Sequence, residues 1–202
     1  MPEEIGLFEA IYSQRAIRHL KPDPVPDELI EKIIDAGIHA PNGGNQQRWA
    51  FVVIKDPELK RKLAEPYKAE GHPDHGDAAT WSQRNAEASA DYLANHAAEV
   101  PVWILACTEH AGTDIHHGAS IYPAVQNMLL AARALGLGSV MTTRVRLGFE
   151  PQMREWVGIP DGFVTAAMIP IGYPQDGYGY GPTTRKDAAE VTHWERWGNH
   201  QP

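Results

Sequence analysis

Arg15 and Arg18 are the residues of this chain best suited to chemistry on an anion. They close an amphipathic segment, Ile5 to Ile17, just ahead of Pro22, Pro24 and Pro26. Three residues apart, they share a side if the turn stays helical. A guanidinium presents a planar fork of donors that matches phosphate oxygens, and turns expose backbone N–H groups to the same anion. A solvated basic spot is the plain alternative for the pair taken alone.

A second group runs Ala40-Pro41-Asn42-Gly43-Gly44-Asn45-Gln46-Gln47-Arg48-Trp49, between a helix and a strand. Side-chain amides donate and accept, which suits the alternating edge of a heterocycle such as a flavin or pterin. Gly43 and Gly44 let the backbone approach a flat ligand closely. A loop bonded only to itself is the alternative. Thr142 and Thr143, at a strand end, offer hydroxyls and N–H groups, as ordinary exposed threonines also do.

Other chemistries fare worse. Gly136-Leu137-Gly138 ends a helix rather than opening one after a strand, so it is not a dinucleotide fingerprint. His72, His75, His110, His116 and His117 cluster in sequence, yet they lack the helical spacing of a zinc-protease pair and have no thiolates beside them. No metal site is expected. Ser120 and Ser139 lack the Gly-x-Ser-x-Gly elbow of a serine hydrolase. Cys107, the single cysteine, lies in an apolar run and reads as a core thiol. With no nucleophile and base in view, a cofactor is left to carry the reaction.

The elements that must position these groups follow from periodicity. Helices are expected over Ile5–Ser13, from Asp27 to before Pro41, over Glu58–Leu63, Ala78–Ala98, Ser120–Leu135 and Pro151–Val157. Buried strands are expected over Ala50–Ile54, Val102–Cys107, Ser139–Thr142 and Phe163–Ile171. The polar stretch from Glu65, with the helix to Ala98, reads as a lid or a surface excursion. Gly177 to Pro182 forms no core element, while Val191, Trp194 and Trp197 need cover, from a neighbouring subunit or from the chain's own core. Strands and helices alternate without a βαβ rhythm, which indicates an α+β sheet flanked by helices.

At 202 residues the chain fits one domain, with residues 65–98 a lid or insert and 173–202 an extended tail. A net charge of −8 argues against nucleic-acid binding. No apolar run reaches the length of a membrane span, and Glu3 and Glu4 do not suit a signal peptide, so a cytoplasmic location is expected.

Taken in order, Ser13-Gln14-Arg15-Ala16-Ile17-Arg18, the Ala40–Trp49 segment, Ala124 to Ser139, Ile171-Gly172-Tyr173-Pro174, and Arg185-Lys186-Asp187 leading to His193–Trp197 resemble the nitroreductase family of flavin enzymes. The resemblance implies a central mixed, mainly antiparallel sheet flanked by helices, in a homodimer with interlocked termini. It also implies two FMN sites at the subunit interface and reduction of FMN by NADH or NADPH. A small aromatic or quinone-like acceptor then oxidises the flavin. Reductive dehalogenases and the flavin-consuming enzyme of cobalamin biosynthesis fall within the same resemblance, and a flavin-storage or redox-sensing protein is the alternative outside catalysis.

Carried over by position, Arg15 and Arg185 resemble phosphate ligands, and Arg18 the cation near flavin N1 and O2. Asn42, Gly43 and Asn45 reach the ring or ribityl chain from the partner subunit, and Thr142 and Thr143 form the segment facing N5. Pro41 and Gln47 complete the implied cofactor-binding set. Four positions depart from the family pattern. Gln14 stands where an arginine is usual, and Ala16 replaces a frequent serine, leaving a backbone N–H. Asn42 replaces the serine after the proline. Arg48 replaces a proline, a charge for an acidic substrate or for solvent.

Overall fold

The computed structural model of the protein describes residues 5–70, 80–109 and 115–200. A four-stranded antiparallel sheet has the spatial order β1-β2-β4-β3, from β1 (Trp49–Ile54), β2 (Val102–Glu109), β3 (Gly138–Ser139) and β4 (Phe163–Gly172). Around it lie α1 (Leu7–Ser13), α2 (Asp27–Ile38), α3 (Pro57–Ala69), α4 (Trp81–Asn95), α5 (Ile115–Ala134), α6 (Glu150–Val157) and α7 (Ala188–Val191). No helix among the described residues is long and apolar enough to cross a membrane.

Both faces of the sheet are covered, and β2 shows why its sequence is an unbroken apolar run. Trp103, Leu105 and Cys107 face one core with Leu63, Tyr67, Leu93 and Met153. Val102, Ile104 and Ala106 face the other, with Ile30, Ile33, Val125 and Met128. Cys107 is buried, and desolvation raises its thiol pKa to about 11, so it is a core residue rather than a nucleophile at neutral pH.

Several boundaries differ from expectation, each for a local reason. α3 continues to Ala69 although Pro66 lies inside it; burial of Ala64 and Tyr67 outweighs the lost N–H. α4 starts after Thr80, whose side chain forms a capping box with Gln83. α5 begins at Ile115, ahead of the expected Ser120. Gly136 follows it at φ +77°, the left-handed stop its sequence suggested. The strand expected to reach Thr142 shortens to Gly138–Ser139, with an isolated bridge between Thr142 and Met168 beyond it. The residues after Pro182 contain one short helix, α7, capped by Asp187.

The turn carrying Arg15 and Arg18 does not stay helical. α1 ends at Ser13, and Gln14 is extended. Ala16 then forms a parallel bridge with Ser139, Ile17 N–H donating to the Ser139 carbonyl at 3.0 Å. Across the other side, Lys21 N–H donates to Tyr173 O at 2.7 Å, Gln175 N–H to His19 O at 3.0 Å and Gly181 N–H to Ser13 O at 3.0 Å. The arginine segment is thus clamped between the β3 edge and the start of the tail. This parallel contact beside four antiparallel strands matches the mixed, mainly antiparallel pattern expected.

Candidate functional site

A cleft of about 520 Å³ opens beside that clamp, within the size range of small-molecule sites. Gln14, Arg15, Ala16 and Arg18 line it from the clamped segment, Val140 and Met141 from the end of β3, and Arg185 from the tail. Asn85 and Ser89 of α4, Leu129 of α5 and Thr183 close the remainder. Three arginines, two from the clamped segment and one from the tail, therefore line one concavity. Arg185 spends one N–H on the carbonyl of Thr184 at 2.9 Å. None of the three has a carboxylate partner among the described residues. Burial lowers the pKa of Arg18, which marks a charge partly stripped of water and without an anion to compensate it. Such a cluster has the donor geometry and charge for a phosphate or another oxyanion.

The amide loop forms a second concavity, of about 150 Å³, that shares no lining residue with the first. Asn42, Gly43, Gln46 and Gln47 line it with Arg48, Trp49, Thr108, Ser120 and Ile121. Part of the amide chemistry serves the loop itself. Asn42 Oδ1 accepts from Gln47 N–H at 2.9 Å, and Gly43 N–H donates to Ser120 Oγ at 3.3 Å. Gly44, Asn45 and Gln47 all have positive φ, at 59°, 52° and 51°. Two non-glycine residues in the left-handed region within three positions is a strained arrangement of the kind that persists where a site demands it. Arg48, which lines this concavity, is 52% exposed, and its Nε pairs with Glu109 Oε2 at 3.0 Å.

Several expected residues stand apart from the two concavities. Pro41 and Asn45 line neither, and nor do Thr142 and Thr143. Thr142 is fixed to β4, its N–H donating to Met168 O at 2.9 Å and its carbonyl accepting from Met168 N at 2.8 Å. The wall contributed by β3 consists instead of Val140 and Met141, apolar residues with no chemical signature to single them out. Asn85 and Ser89 were equally hidden in an alanine-rich helix. His72, His75 and His110 lie outside the described residues, and the described residues contain no cluster of three or more potential metal ligands.

An α+β sheet with an arginine-lined cleft between its edge and a clamped N-terminal segment defines a recognisable class. The sequence profile of the nitroreductase family matches residues 11–173, so the chain belongs to that family. A protein of Archaeoglobus fulgidus with the provisional name NADH dehydrogenase/NAD(P)H nitroreductase is 30% identical over 201 residues, 94% of this chain and 98% of its own. Iodotyrosine deiodinase 1 of Rattus norvegicus is 27% identical over 178 residues, 84% of this chain and 62% of that protein. A nitroreductase with bound FMN from Bacteroides fragilis shares the fold, with a TM-score of 0.71 at 21% identity over 91% of this chain and 96% of its own.

Proposed function

We propose that this protein is an FMN-dependent oxidoreductase. It takes hydride from NADH or NADPH and delivers it to a nitroaromatic, quinone or other conjugated acceptor, the two half-reactions alternating at one site. The observation that carries this reading is the 520 Å³ cleft with Arg15, Arg18 and Arg185 free of carboxylate partners among the described residues. The cleft suits a flat ligand with a phosphate tail, and family membership supplies the ligand's identity.

FMN, when bound, supplies the ring that accepts and returns the hydride. The chain's part is to bind, orient and polarise. Arg15 and Arg185 hold the phosphate, with Gln14 and the backbone of Ala16 beside them. Arg18 supplies positive charge where the ring gains electron density, and its partial burial makes that charge count for more than a solvated one. Val140 and Met141 give the ring an apolar wall, and Thr142 and Thr143 form the segment facing N5. Asn42, Gly43, Asn45 and Gln47, with Pro41, complete the site from the partner subunit of a homodimer. That assignment is supported by the separation of the two concavities and by the apolar residues exposed on α1 and the tail. Similarity to iodotyrosine deiodinase favours one further acceptor class, a halogenated phenol.

The absorbance spectrum of the purified protein tests this. Flavin bands that bleach anaerobically with NADH or NADPH, and return on adding a nitroaromatic, a quinone or 3-iodotyrosine, are expected. A colourless protein that does not take up added FMN would remove the proposal. Bound flavin that neither nucleotide bleaches would leave storage or sensing in its place.

A further inference from the structure

Arg48 is the one charged residue among the described residues that line the amide-rich concavity. Its neighbours there are amides, hydroxyls, Gly43, Trp49 and Ile121. It stands just before β1, and its backbone is tied to the end of β2. The Arg48 carbonyl accepts from Glu109 N–H at 3.1 Å and from Thr108 Oγ1 at 3.1 Å. The ladder that pairs Trp49 with Thr108 brings Glu109 alongside Arg48, and Glu109 Oε2 takes the guanidinium Nε at 3.0 Å. That contact occupies the side edge of the guanidinium. The end edge, Nη1 and Nη2, has no partner among the described residues.

A guanidinium held at Nε and open at its end presents two parallel N–H donors, which a carboxylate receives in bidentate fashion. Behind this rim, Trp49 and the buried Ile121 supply apolar surface for a ring, and the amides of Asn42, Gln46 and Gln47 supply polar groups to orient it. The chain as a whole carries a net charge of −8, which disfavours anions at long range. Selection of an acid must therefore be local, and Arg48 is the local cation. We propose that Arg48 is a specificity-determining residue and that the acceptor it selects is an aromatic acid, its ring in the concavity and its carboxylate on the open end of the guanidinium. This rests on the flavin reading, in which the amide loop bounds the site where the acceptor is reduced. Glu109 holds the guanidinium in place, and its charge limits the preference to a modest factor.

The test uses the FMN-loaded protein and two acceptors with the same nitro group, 4-nitrobenzoate and its uncharged near-isostere 4-nitrobenzamide. Wild type is expected to prefer the acid in kcat/KM. Arg48→Gln is expected to lower the acid-to-amide ratio about five-fold, mainly through KM, the scale of a half-exposed ion pair. Arg48→Lys keeps a point charge without the fork and is expected to fall between the two. Calorimetric binding of benzoate and benzamide makes the same comparison without turnover: benzoate binds more tightly to wild type, and the difference shrinks in Arg48→Gln. Arg48 and Glu109 are both about half exposed, so the variants are expected to fold, and thermal midpoints check this. An acid-to-amide ratio that Arg48→Gln leaves unchanged overturns the inference. So does benzoate that binds wild type no more tightly than benzamide, a comparison that needs no variant. A protein that NAD(P)H bleaches and that reduces both acceptors without regard to charge keeps the flavin reading and loses this inference. A protein that takes no FMN removes both.

Discussion

Ala16 lies alongside Ser139 in a parallel bridge, so the segment that carries both cleft arginines is an extension of the sheet edge rather than a turn of helix. Sheet pairing fixes the backbone at 3.0 Å through Ile17 N–H and Ser139 O. The arginines can then project from an extended segment held on both sides.

That closeness depends on Gly138. A Cβ there would stand 2.8 Å from Leu20 Cδ2 and 2.9 Å from Ile17 Cγ2. Ile17 is β-branched and buried, so it cannot swing away. Gly138→Ala is expected to cost about 1–3 kcal/mol of stability through overpacking. It is also expected to weaken FMN binding by pushing the Arg15–Arg18 segment off the edge. Thermal unfolding and FMN titration check both. An unchanged FMN Kd would mean that the bridge does not position the arginines.

Arg18 and Arg185 line one cleft but differ in setting: Arg18 is half-buried, Arg185 exposed on the tail. Arg185→Ala is expected to raise FMN Kd about ten-fold, roughly 1.4 kcal/mol. Arg18→Ala is expected to slow flavin reduction by NAD(P)H by a larger factor than it weakens binding, because its charge matters most when the ring gains electrons. Stopped-flow bleaching beside equilibrium titration separates the two. Equal losses of affinity with normal reduction rates would sink this division of roles.

Much of this arrangement was legible in the chain. The apolar runs of β2 and β4 and the glycine stop after α5 specify their elements locally. Arg15 and Arg18 stand out by their spacing and guanidinium chemistry, and Arg185 only through the family resemblance. The extended course of residues 14–18 was not legible, since pairing with Ser139 is a contact between distant segments that no local period encodes. The amide loop misleads in the other direction, because Asn42 and Gly43 make bonds that hold the loop together as well as offering them outward.

His19 is sandwiched between Tyr92, with centroids 3.7 Å apart, and Tyr178, at 3.6 Å, joining α4 to the tail across the clamped segment. Burial and then the charge of His96 lower its pKa below the usual 6.5. The folded state therefore favours neutral imidazole. Its contribution to stability is complete above the unfolded pKa and is lost as pH falls through the lower folded value. His96 stacks on Tyr92 at 4.2 Å and pairs with Glu99 at 3.1 Å. His19→Phe keeps an aromatic ring in the stack without the proton. Between about pH 7.5 and pH 5, wild type is expected to lose more denaturant stability than His19→Phe. Parallel pH profiles, or a His19 pKa above 6.5 by NMR, would show that the tyrosine faces stabilise the cation instead.

Leu7, Phe8 and Tyr12 are 65%, 67% and 68% exposed on the single short helix α1, and Trp197 in the tail is 90% exposed. Scattered exposed apolar residues are ordinary, but four on seven residues, Ile11 being the fourth, with a bare tryptophan elsewhere, form a surface suited to cover by another chain. The partner subunit of the proposed homodimer would supply that cover. It also accounts for an amide-lined concavity that shares no residue with the arginine cleft, if each FMN is held by the arginines of one protomer and the amide loop of its partner. Assembly and cofactor binding should then fail together. Phe8→Ser combined with Trp197→Ser is expected to shift the protein toward monomer in sedimentation equilibrium and to raise FMN Kd ten-fold or more, although neither residue lines either concavity. A wild-type monomer would rule out the shared site. A monomeric variant that kept full FMN affinity would show that one chain binds the cofactor alone, with the amide loop serving its own hydrogen bonds.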